Sequence, residues 1–69
     1  MSEEKELARK LKALAHPLRL TIVALLAKEE KEMYLNEIAN SLAINRALAK
    51  IHLKKLENGN IVKSRVVLV

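Results

Sequence analysis

Apolar residues recur along this chain in a helical rhythm that breaks at a few places. Leu7, Leu11 and Leu14 repeat at three- and four-residue spacing, with Ala8 and Ala15 beside them and Lys or Arg on the other faces. That pattern predicts an amphipathic first helix. Ser2 ahead of Glu3 and Glu4 supplies a capping hydroxyl and then acids at the positive end of the helix dipole. The helix is expected to stop at His16, because a residue before proline avoids the α region. Pro17 suits the first position of a second helix, where its missing N–H is not needed, and His16 is placed to cap it. Leu18, Leu20, Ile22, Val23, Leu25 and Leu26 make this second helix apolar almost all round, the pattern of a buried central helix. Arg19, on that mostly apolar helix, is expected to make a structural ion pair.

Lys28 to Glu32 reads as a charged, solvated connection, and Met33, Tyr34 and Leu35 as a short extended piece. A third helix is expected from Leu35 to Leu42, with Leu35, Ile38, Ala39 and Leu42 on one face. Ala43-Ile44-Asn45 is a three-residue break, and Asn45 is a strong N-cap for a fourth helix over about residues 46 to 58. Ala49, Leu53 and Leu56 form the inward stripe of that helix, flanked by His52. Asn58-Gly59-Asn60 ends it, since Gly and Asn accept the left-handed conformation of a helix C-terminus. Ile61 to Val69, rich in β-branched residues, reads as a terminal strand with Lys63 and Arg65 two apart on one face. The expected fold class is therefore mainly α with a small β element, four helices and then a strand. Residues 1 to 69 form one domain, with no linker or repeat inside it.

Composition narrows the function. The 69 residues include no cysteine, which excludes a disulfide framework and a thiolate metal site. The two histidines, His16 and His52, lie far apart in sequence. No cofactor and no metal are expected, and no catalytic pair, phosphate loop or metal cluster is visible, so the chain does not read as an enzyme. The N-terminus is charged and unlike a signal peptide. The longest apolar-leaning run, Leu18 to Ala27, is broken by Arg19 and far too short to span a bilayer. The expectation is a soluble, cytoplasmic protein without a membrane partner. A chain this short buries only about 60% of its unfolded surface, which points to a homodimer as a source of further burial.

The net charge of +5 is unevenly placed. Residues 1 to 45 hold seven Lys/Arg and seven Asp/Glu, whereas residues 46 to 69 hold Arg46, Lys50, Lys54, Lys55, Lys63 and Arg65 against the single Glu57. A field of this kind favours a polyanion, of which nucleic acid is the commonest. The plainer reading is a lysine-rich solvated surface. Two helices joined by a three-residue turn, the second basic outside and apolar inside, have helix-turn-helix form. At 100° per residue, Arg46, Lys50 and Lys54 fall within about 80° of one another, with Ala47 and Ile51 adjacent. A helix that packs one face on its domain and sends the other into a major groove needs this division. The candidate DNA-binding residues are Asn45, Arg46, Ala47, Lys50, Ile51, Lys54, Lys55, Lys63 and Arg65. Arg46 is placed as a base reader, since arginine binds guanine O6 and N7 together, and Lys50 is a second reader. Lys54 and Lys55 suit phosphates, Ala47 permits close approach, and Ile51 suits a thymine methyl.

At these residues the sequence resembles a family. LKALAHPLRLTIVALL is similar to the first-to-second-helix signature of ArsR-type winged-helix regulators, and LNEIANSL followed by AINRALAKIHLKKLENGNIVKSR to their helix-turn-helix and first wing strand. The resemblance covers nearly the whole chain. It implies a winged helix-turn-helix that binds double-stranded DNA as a homodimer on a palindromic site, in a prokaryotic transcriptional regulator that is usually a repressor. Four departures qualify it. The third helix lacks the cysteines of metal-sensing members. Ala43 stands where the family usually has glycine, which predicts a positive φ at a cost on the order of 1 kcal/mol. Lys50 stands where serine or threonine is favoured, so a target sequence does not transfer. The sequence reaches Val69 partway through the expected wing, before the hairpin turn and return strand that the family would place next.

Two other classes compete. A winged-helix domain also serves in protein–protein contacts, because fold alone does not fix function, and an architectural protein binds DNA of any sequence. A single-stranded nucleic-acid module normally offers several stacking rings, whereas Tyr34 is the only aromatic residue. The effector, if one exists, has no signature in the sequence.

Overall fold

The computed structural model describes residues 2–63. Four helices follow one another: α1 over Ser2–Leu14, α2 over Pro17–Glu29, α3 over Leu35–Leu42 and α4 over Arg46–Asn58. Among the described residues no strand forms; the rest of the expected strand, residues 64–69, lies outside them together with Arg65. The expected β wing is therefore not part of the fold described here.

The core is one cluster of Ile22, Leu26, Met33, Ile38, Leu53, Leu56 and Val62, to which α2, α3 and α4 each contribute. Helices α2 and α4 each pack on all three of the others. The second helix is central but not buried all round, because Leu20, Thr21 and Ala24 face outward. Its charged exit is also shorter than expected. Lys28 and Glu29 stay helical, and Glu30 turns the chain with φ 54°, its N–H bonded to Leu26 O at 3.1 Å. On α1 only Ala13 is buried, while Leu7 and Leu11 are 59% and 58% exposed on the outer face. Met33 and Tyr34 form no strand; Met33 instead inserts into the core.

Local chemistry fixes where α2 and α3 begin. His16 adopts extended dihedrals, and its Nδ1 accepts the Leu18 N–H at 3.1 Å, with Pro17 as the first helical residue. Glu37 closes back on the start of α3, its Oε1 accepting the Tyr34 N–H at 3.0 Å. That bond holds the Glu37 carboxyl below its ordinary range, helped by Lys31 Nζ at 3.6 Å.

The ends of α3 and α4 share one geometry. After α3, Ala43 N–H bonds Asn40 O at 3.2 Å and Ile44 N–H bonds Ala39 O at 3.0 Å. After α4, Asn60 N–H bonds Glu57 O and Ile61 N–H bonds Leu56 O, both at 2.9 Å. These are Schellman closures, which require one left-handed residue each. Ala43 has φ 54° and Asn60 φ 62°. The expectation of a positive φ at Ala43 holds. At the second closure the left-handed residue is Asn60, and Gly59 has φ −83°, open to any residue. Glycine is needed at position 59 for a different reason. A Cβ built there would collide with the Ala13 Cβ, so Gly59 is where α1 and the end of α4 come together.

Candidate nucleic-acid interface

The α3–α4 turn sets the site. The left-handed Ala43 reverses the chain, and Asn45 at φ −76°, ψ 155° starts α4 with its Oδ1 accepting the Leu48 N–H at 2.7 Å. The two sides of α4 then separate. Ala49, His52, Leu53 and Leu56 are buried, and Arg46, Ala47, Lys50, Ile51, Lys54 and Lys55 are exposed. The packed stripe is what the sequence pattern predicts, and the exposed surface of α4 carries four cations. Of the remaining predicted residues, Asn45 and Lys63 are exposed, with Asn45 Oδ1 engaged in the cap. Lys63 is the last described residue, so its juxtaposition with Arg65 lies outside the description.

Arg46 is not a free side chain. Its Nε–H donates to Asn36 Oδ1 across the two helices at 2.9 Å. Asn36 is a residue the sequence pattern does not single out. It sits on α3 ten positions before Arg46, and only the crossing of the two helices brings them together.

Behind α4 lies a second polar group. Among the described residues Arg19 forms no ion pair of the kind expected of it. Its NH1 donates to Ala13 O at 3.2 Å, near the end of α1, and its Nε donates to His52 Nδ1 at 3.3 Å. One guanidinium thus ties α2 to α1 and to α4. The His16 and His52 rings meet at 4.5 Å between centroids, tilted by 48°. His52 is only 8% exposed. Burial pushes its pKa below the usual histidine value, with the neighbouring His16 and Arg19 charges acting in the same direction. As an acceptor at Nδ1, the ring carries its proton on Nε2. His52 therefore belongs to the support of the helix rather than to its outer face.

Among the described residues no group of three or more His, Cys, Asp or Glu is arranged to hold a metal ion. Among them, too, no helix is long and apolar enough to cross a membrane.

Comparison with known proteins decides the family. Residues 16–64 match the pattern described as bacterial regulatory protein, arsR family. The chain belongs to the ArsR family. As an ArsR-family chain, it carries a helix-turn-helix of the DNA-binding kind used in transcriptional regulation. It is also similar to a protein of Methanocaldococcus jannaschii named as an uncharacterized HTH-type transcriptional regulator, with 39% identity over 56 residues. That match covers 81% of this chain and 57% of the relative, so the chain spans little more than half of the relative's length. No solved structure matches the chain. The matched stretch begins at His16 and takes in α2, α3 and α4, which contain the turn, the basic face and its support.

Proposed function

We propose that this ArsR-family chain is a sequence-specific double-stranded DNA-binding regulator of transcription, acting as a repressor with α4 in the major groove. One observation carries the reading. Arg46, Lys50, Lys54 and Lys55 stand exposed on α4 outside its packed stripe, on the second helix of a capped helix-turn-helix. Arg46 and Lys50 are the base readers, with Ala47 and Ile51 beside them against the base edges. Lys54 and Lys55 hold phosphates, joined by Lys63 and Arg65 beyond the helix. Asn45 holds the cap through its Oδ1 and offers its amide N–H groups to DNA. Such a protein works in the cytoplasm and performs no catalysis.

The functional unit in this reading is a homodimer. Leu7 and Leu11 lie one helical turn apart on α1 and stay more than half exposed on the single chain, which supports burial against a second copy. Sedimentation across concentration tests it. Self-association is expected for the parent and weaker association for Leu11→Lys; equal behaviour of the two speaks against this face.

Readers and holders separate by substitution. Arg46→Ala is expected to cost about 1–3 kcal/mol on a preferred duplex and to relax the preference at one base pair. Lys55→Ala is expected to weaken preferred and random duplexes alike. Equal losses on both duplexes for both variants remove Arg46 from the readers.

A further inference from the structure

We infer that Asn36 of α3 is a positioning residue, which orients the Arg46 guanidinium so that only its terminal edge is offered to a base. This rests on the reading of α4 as a DNA-reading helix. A guanidinium presents two forks that match a pair of acceptors: a side-on fork through Nε and one terminal nitrogen, and an end-on fork through the two terminal nitrogens. In this chain the Nε–H already donates to Asn36 Oδ1 at 2.9 Å. The side-on fork is closed, and NH1 and NH2 remain for the O6 and N7 of a guanine.

The partner's chemistry matters as much as the distance. Asn36 is neutral, so it fixes the direction of Arg46 without cancelling its charge, as an aspartate or glutamate at that place would. Both ends of the arrangement are held. Asn36 lies in the first turn of α3, and Arg46 is the first residue of α4, directly after the Asn45 cap. The Schellman closure at Ala43 sets the path between the two helices. The contact is exposed, and exposed hydrogen bonds add little to folding stability. Its value is pre-organisation. A long side chain already ordered in the free protein loses less freedom when it meets a base. Asn36 does not itself touch a base in this account.

The test uses the whole 69-residue chain and two probes, the duplex it enriches from a randomised pool and the unselected pool. Asn36→Ala is expected to lower the preference for the enriched duplex by about threefold to tenfold, the range for immobilising one flexible side chain. Affinity for the unselected pool and the thermal midpoint stay unchanged. In an Arg46→Ala background the same substitution has no further effect. Asn36→Asp keeps an acceptor for Nε but adds a negative charge, so it weakens both duplexes while retaining the preference. A loss from Asn36→Ala that persists without Arg46 shows direct contact by Asn36 and overturns the proposal, as does an unchanged preference in the single variant. Failure of the parent chain to bind either duplex is a different result: it overturns the DNA reading and the proposal with it.

Discussion

Arg19 Nε donates to His52 Nδ1 at 3.3 Å, and the same guanidinium holds Ala13 O at 3.2 Å. The back of α4 is thus fastened to α1 and α2 through a buried ring that must stay neutral. The groups facing His52 are His16 and Arg19, and neither is an acid able to stabilise an imidazolium.

Stability is therefore expected to depend on pH through His52. Its folded pKa lies below the ordinary histidine value of about 6.5, so the unfolded chain binds more protons in the interval between the two. The contribution is fully present above about pH 6.5 and is lost as pH falls towards the lowered folded value. Thermal midpoints measured through that interval should decline on acidification. His52→Asn, which keeps an acceptor for Arg19 but does not titrate, should flatten the decline. A parent protein whose midpoint does not change there contradicts a neutral, buried His52.

Ala43 is the left-handed residue that closes α3, with φ 54°. Ala43→Gly relieves a Cβ clash of about 1 kcal/mol, which in a domain of this size raises the thermal midpoint by about 4–8 °C. The gain is reduced by the greater freedom of glycine in the unfolded chain. A midpoint below that of the parent shows that the position is not strained.

Gly59 is expected to resist substitution although its φ of −83° suits any residue. A Cβ there meets Ala13, and overpacking of this kind costs about 1–3 kcal/mol. Gly59→Ala should lower stability, and the pair Gly59→Ala with Ala13→Gly should recover most of the loss. If the single variant is as stable as the parent, α1 is not seated against this glycine.

Most of what was legible in the sequence was local. The bounds of α3 and α4, the caps at His16 and Asn45 and the packed stripe of Ala49, Leu53 and Leu56 all follow from spacing and cap chemistry within a few residues. The strain at Ala43 was legible only through the resemblance to a family with glycine at that position. What stayed hidden depends on how elements meet. The Asn36–Arg46 bond exists only because α3 crosses α4, and Arg19 finds a carbonyl and a ring rather than an acid for the same reason. Gly59 reads locally as a left-handed terminator, yet its role comes from α1 and the turn belongs to Asn60. Glu30 takes a left-handed conformation inside a charged run that carries no glycine or asparagine to announce it. On α1 the periodicity of Leu7 and Leu11 marks a face without saying that the protomer leaves it uncovered.

If the exposed cations of α4 bind the phosphates and bases of duplex DNA, duplex affinity falls as salt rises. Each phosphate neutralised contributes about −0.9 to the slope of log affinity against log salt. With Lys54 and Lys55 on phosphates, a slope of about −2 or steeper is expected for each protomer bound, and a slope shallower by about that amount in the variant carrying both Lys54→Ala and Lys55→Ala. A flat salt response, or no duplex binding at low salt, would contradict it.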